Sequence, residues 1–237
     1  MYRIQMPVLA LIIFVLAGTS GVFGQSSGPD PDAWLQWTPA TATSIDEKMK
    51  QKGKVGSSFT MRGINTQRAI NYKMRATLMS PEMIRAAARM QQITNRLSDD
   101  ETRALVSEAE NAGDLVVMIE IDPNEGSGVI PLDWRVFLQA KGARPGSIAV
   151  AGIKSPQLRN VKALNGVFRR KYDYDVFFVV FPLVDDDGEP LLSPDVPEIE
   201  VVVGIYNKEG RVSWRIPESV RAKVKALSEK RSREVTK

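Results

Sequence analysis

The clearest periodicity begins at Ala69, where Ile70, Tyr72, Met74, Ala76 and Leu78 alternate with Asn71, Lys73, Arg75 and Thr77. Strict alternation predicts a half-buried strand. Ser80 and Pro81 follow as an N-cap and a first helical residue, and the apolar positions then change period. Ile84, Ala87, Met90, Ile93 and Leu97 step by three and four, which places them on one stripe of a helix reaching about Leu97. Ser98 and Glu101 have the spacing of a capping box, so a second helix starts there, runs through Leu105, Val106 and Ala109, and stops near Gly113. Residues 81–112 are thus expected to form an αα-hairpin.

Beyond Gly113 the pattern is that of strands. Residues 114–122 (DLVVMIEID) are nearly continuous in apolar and β-branched residues, and Leu132, Trp134, Val136 and Leu138 alternate on one face of 129–139. With the turn residues 123–128 between them, the two runs predict a hairpin. A short strand at 147–153, the apolar run 173–184, and a hairpin spanning Ile199 to Ile216 about Asn207–Gly210 complete the series. Antiparallel neighbours need only short links, whereas parallel ones need crossovers of about a dozen residues. The expected fold is α+β and β-rich: an antiparallel β-sandwich or curled sheet of about seven strands, with the αα-hairpin inserted between the first two strands.

The chain ends have a different character. Residues 1–24 carry one cation, Arg3, then the apolar run 7–17, then small residues to Gly24, which is the order of a secretory signal peptide cleaved before Gln25. A retained anchor needs about 20 apolar residues, and Met6 to Phe23 includes Gly18, Thr19, Ser20 and Gly21. Residues 25–61 are rich in Ser, Gly, Pro and Lys and read as a flexible N-terminal arm ahead of one globular domain at 62–217. The final segment, 218–237, reads as a basic, partly helical tail. The expected localisation is periplasmic or extracellular.

Composition narrows the chemistry. At 237 residues, 43% hydrophobic and 25% charged, the chain has the make-up of a globular protein. It contains neither histidine nor cysteine, which removes the Ser-His-Asp and Cys-His nucleophile systems, the usual zinc sites and any disulfide. The net charge of +4 belongs to the tail: residues 221–237 hold seven Lys/Arg against Glu229 and Glu234, so 25–220 are slightly acidic. That tail lacks aromatics, so nucleic acid is not expected as a partner. Contact with an anionic membrane surface is the functional alternative to a solvated helix.

The remaining motifs are weak. Aligning Gly188 with the glycine of a calcium loop puts Leu183 and Pro194 at the terminal ligand positions, and no phosphate-binding glycine pattern occurs, so no metal and no cofactor are expected. Carboxylates are the acid–base candidates left: Glu120 and Asp122 on one strand, Asp173 and Asp175 on another. Trp34 and Trp37, three apart in the arm, are candidate partner contacts, whereas Trp134 and Trp214 fall on apolar strand faces and read as core. Met74, Met79, Met83 and Met90 likewise read as core filling around the first helix. The expected function is an exported, non-enzymatic binding or structural protein of the cell envelope, its partner an envelope protein or surface. Two alternatives stand beside it: a carboxylate-dependent hydrolase of an envelope polysaccharide, with catalytic residues unassigned, and a carrier of small apolar ligands under a helical lid.

Overall fold

The computed structural model describes residues 30–55, 72–123, 130, 133–144, 149–166, 175–185, 188, 190–205 and 208–235. The signal segment, Asp173, Asp186 and Asp187 lie outside them.

Thr38 accepts the Thr41 N–H at 3.2 Å and Pro39 opens a first helix, α1, at Pro39–Lys52. A two-residue strand, β1 (Lys54–Val55), and then β2 (Tyr72–Leu78) follow. The Ser80 hydroxyl caps α2 (Pro81–Asn95), and the Ser98/Glu101 capping box opens α3 (Asp99–Glu110). Strands β3 (Leu115–Pro123), β4 (Arg135–Ala140), β5 (Val150–Ala151), β6 (Ile153–Lys154), β7 (Asp175–Phe181), β8 (Glu198–Ile205) and β9 (Lys208–Arg215) then lead to α4 (Glu218–Val235).

The fold is α+β, with the strands arranged in two antiparallel sheets. One has the order β1-β2-β3-β7-β6 and the other β5-β4-β8-β9. One core cluster draws on both. Met74, Ala76 and Leu78 of β2, with Leu115, Val117, Ile119 and Ile121 of β3, meet Val136, Leu138, Ile199, Val201 and Trp214 of the other sheet. Because successive strand residues point to opposite faces, Val116 and Met118 turn the other way. There they join Phe178 beneath Met83, Ile84 and Ala88 of α2 and Val106 and Ala109 of α3. At one edge the chain passes from one sheet to the other at Gly152, whose N–H bonds to the Val136 carbonyl at 2.8 Å while the next residue, Ile153, pairs with Val180.

Several expectations are corrected. The described strands number nine rather than about seven, and β1 precedes β2, so the αα-hairpin links the second strand to the third. The expected 114–139 hairpin is absent: β3 pairs with β2 and β7, while β4 pairs with β5 and β8. All of Leu115 to Ile121 is buried, so β3 requires strands on both edges and cover on both faces, which a turn-linked β4 with one apolar face does not supply. Within 25–61, read as a flexible arm, α1 is a 14-residue helix packed on α2 and β2. Its Ala42 and Asp46 are buried, and Asp46 pairs with Lys50 one turn on. The domain therefore reaches back past residue 62, and one unit spans Asp32–Lys237. The basic tail is helical through Val235, and its Val220 and Val224 enter the core shared by the sheets.

Candidate functional site

A large concavity lies at the end of the β-structure, where α1 finishes, α2 and α4 begin, and β9 runs out. It is an open groove of about 1010 Å³. Met49 and Lys52 come from α1, Leu78 and Ser80 from the β2–α2 junction, and Ser213 to Ile216 from β9 and its exit; Pro217, Glu218 and Arg221 belong to the start of α4. A smaller cleft of about 220 Å³ lies across the shared Leu78, Ser80 and Pro217, lined by Arg85, Glu110, Asp114 and Lys223 among others. Arg85 and Glu110 approach to 3.7 Å there, and Asp114 accepts the Leu183 N–H at 3.2 Å.

The local sequence accounts for this meeting of helix ends. Pro217 stops β9, because proline adds no ladder donor, and its fixed φ suits the entry to a helix. Ile216 still bonds to the Pro197 carbonyl at 3.2 Å, so the turn into α4 is anchored to β8's approach. Trp214 is paired with Ile199 and only 5% exposed, yet its indole N–H finds no acceptor among the described residues. Buried indole donors are ordinarily satisfied. The Arg221 Nε–H is likewise buried and without an acceptor, and its guanidinium stands 3.7 Å from Glu218. Glu198, on the same rim, is held below the usual carboxylate range, first by the hydrogen bond from Lys141 and also by the charges of Lys141 and Arg215. The groove thus combines two helix starts with side chains of both charges, Lys52, Glu82, Glu198, Arg215, Glu218 and Arg221, over the buried Leu78, Trp214 and Ile216.

The sequence candidates lie elsewhere. Trp34 is 5% exposed and packs in the second core cluster with Trp37 half-buried against it. Arg89 donates to the Trp37 carbonyl at 2.9 Å, so this pair docks the N-terminal segment on α2. Glu120 is 5% exposed and stands opposite Arg75 on the helix-covered face of its sheet. Asp122 follows two residues on in β3, where its backbone is in register with Lys73 of β2. Asp175 is exposed and opposite Ile121, which puts it on the other face, toward the inter-sheet core. Trp134 and Trp214 are buried, as are Met74, Met79 and Met83. Among the described residues no cluster of three or more acidic side chains has metal-site geometry, and no helix is long and apolar enough to cross a membrane. Sequence reasoning missed Arg221 and the place of Trp214 beside the groove; the signal was the Trp-Arg-Ile-Pro order that ends a strand and starts a helix.

No protein-family model matches the chain, and no curated protein matches it. Among solved structures, the chain is similar to a protein of unknown function from Burkholderia pseudomallei, with 15% identity over 79% of this chain and 90% of that one, at a TM-score of 0.41.

Proposed function

We propose that this chain is exported through a signal peptide cleaved before Gln25 and acts in the cell envelope as a non-enzymatic binding protein, with the groove beside Trp214 as its contact site. The observation that carries the proposal is the groove itself: a large concavity where helix and strand ends meet, lined by Met49 and by side chains of both charges, Lys52, Glu82, Glu198, Arg215, Glu218 and Arg221. Such a surface provides burial area and orientation together. Within the same proposal the two sheets close as a β-sandwich, and the exposed Lys223, Lys225, Lys230 and Arg233 of α4 meet an anionic envelope surface. The hydrolase alternative has less support, because Glu120 and Asp175 belong to opposite faces of one sheet and a glycosidase needs its two carboxyls across one cleft.

The test is photo-crosslinking in the native envelope from a reactive residue placed at Ser213, in the groove, and at Lys162, on the far helical layer. The proposal expects a specific adduct from position 213 alone, on a chain that begins at Gln25. Equal adducts from both positions, or an unprocessed chain, contradict it.

A further inference from the structure

We infer that Asn165 is a modification site. Its amide deamidates against the Gly166 main-chain nitrogen, the closed fold holds that reaction back, and the product prevents the helical layer from closing again over Gly166. The chemistry needs only the chain and water, and Asn165-Gly166 is the one Asn-Gly pair in the sequence. Glycine has no Cβ to shield its nitrogen. That nitrogen gives its proton to solvent hydroxide and attacks Asn165 Cγ; a C–N bond forms, the Cγ–Nδ2 bond breaks, and ammonia leaves with a proton from water. Water then opens the cyclic succinimide. Addition at the side-chain carbonyl gives aspartate, and addition at the main-chain carbonyl gives isoaspartate, which carries an extra methylene in the main chain.

The fold withholds the geometry this step requires. Asn165 ends the short 3₁₀ turn Lys162–Leu164 with φ −75° and ψ 1°. At that ψ its own main-chain nitrogen eclipses the Gly166 nitrogen and Cβ is turned away, whereas the ring needs Cβ and the Gly166 nitrogen on the same side. The Asn165 side-chain amide also donates to the Arg159 carbonyl at 3.3 Å. Rotating ψ would swing Gly166, which is buried at φ +76°. A Cβ there would stand 3.3 Å from Asp46 Oδ1 of α1 and 3.6 Å from Met83 Cε of α2. The preceding Ala163 and Leu164 are fully buried. Ring closure therefore waits for this turn to leave α1 and α2, a local opening short of global unfolding.

The same confinement gives the conversion its consequence. An extra main-chain methylene ahead of Gly166 has no space beside Asp46 and Met83, and packed interiors accommodate added groups poorly. The aspartate product adds a negative charge one residue from the glycine that touches Asp46, whose carboxylate is already paired with Lys50. Deamidation thus fixes the opened state: a chain whose helical layer has once opened at this turn is marked there by a bond that refolding does not reverse.

The experiment incubates the wild-type chain at mildly alkaline pH, once folded and once in urea, and reads aspartate and isoaspartate at each asparagine by peptide mapping. In urea, Asn165 is expected to convert ahead of Asn111 and Asn160, which no glycine follows. In the folded chain its conversion should be slower by roughly tenfold or more, the scale of a modest local opening. Chains converted in urea and then returned to buffer are expected to unfold at a lower temperature than unconverted chains treated alike, and to lose hydrogen-exchange protection in α1. Both readouts use the unaltered sequence, so no variant has to fold. Equal rates in the folded and unfolded chains, no preference for Asn165 in urea, or a converted chain with an unchanged midpoint and full protection in α1 overturns the inference.

Discussion

A Cβ on Gly152 would stand 2.3 Å from Cγ1 of Val179 and 2.9 Å from the Phe181 ring. The backbone crosses from one sheet to the other in contact with β7, and only a residue without a side chain fits where strands change sheets. Gly152→Ala is therefore expected to destabilise the fold by roughly 1–3 kcal/mol through overpacking. Urea unfolding checks this, and an unchanged midpoint contradicts the close approach.

Asp46 and Lys50 form an ion pair inside the packing of α1, with side-chain exposures of 2% and 13%. Removing Lys50 takes the ion-pair partner one turn away from a buried carboxylate. Lys50→Met is expected to cost about 3–5 kcal/mol, whereas replacing both residues by apolar ones costs less. Thermal unfolding of the single and double variants decides it; a neutral single variant would mean that α1 is not held by this pair.

Trp34 tests whether the N-terminal segment is core or contact. With its ring buried in the cluster under the helices, Trp34→Ala is expected to lose roughly 3–5 kcal/mol of stability. Trp37→Ala, at a half-buried position, should lose less. Equal and small losses at both would restore the view that the pair is a surface contact.

Glu101 is held below its ordinary value near 4.5 by the Ser98 backbone N–H and then the Ser98 hydroxyl. A lowered carboxylate pKa contributes stability above the ordinary value, and that contribution is lost as pH falls through the folded-state value. Helix α3 should thus lose part of its protection from hydrogen exchange below about pH 4.5 in the native chain but less so in Glu101→Gln. Identical acid profiles would contradict the capping geometry.

Lys154 behaves in the opposite sense. Its ammonium lies 3.9 Å from the centre of the Trp134 ring, and burial pushes its pKa down against the raising effect of Asp133. Between the lowered folded value and the ordinary one near 10.5, the unfolded chain holds more protons, so stability from this group rises with pH across that window. Lys154→Met should flatten the rise in denaturant midpoint, and a wild-type slope in the variant would refute it.

The helical hairpin was readable because its signals are local: Ser80-Pro81 and Ser98-Asp-Asp-Glu101 act within one turn of themselves. Strand pairing is a different problem. The 123–128 turn residues suggested that β3 and β4 pair, but alternation shows only which face a residue occupies, not which strand lies beside it. Burial of β3 on both faces decided the partners. Helix α1 escaped notice because only Ala42 and Asp46 are buried in it, too few to set an apolar stripe against its lysines.

The groove was less legible still. Trp214 and Arg221 are separated by Pro217 and a change from strand to helix, and the missing acceptors become visible only once the surrounding elements are placed. Glu120 and Asp175 part for a related reason, since strand register was not visible either. Glu120 lies on the helix-covered face of β3, but the register with β7 sends Asp175 to the other.

The central claim is that an exported chain binds through the groove at Trp214 and Arg221. Recovering the wild-type protein and the Trp214→Phe/Arg221→Gln double variant from the native envelope, followed by intact and native mass spectrometry, tests it most directly. The expected result is a chain starting at Gln25 in both, carrying a bound species that the wild type retains and the folded double variant loses. A chain that still begins at Met1, or the same bound species on both proteins, would contradict the claim.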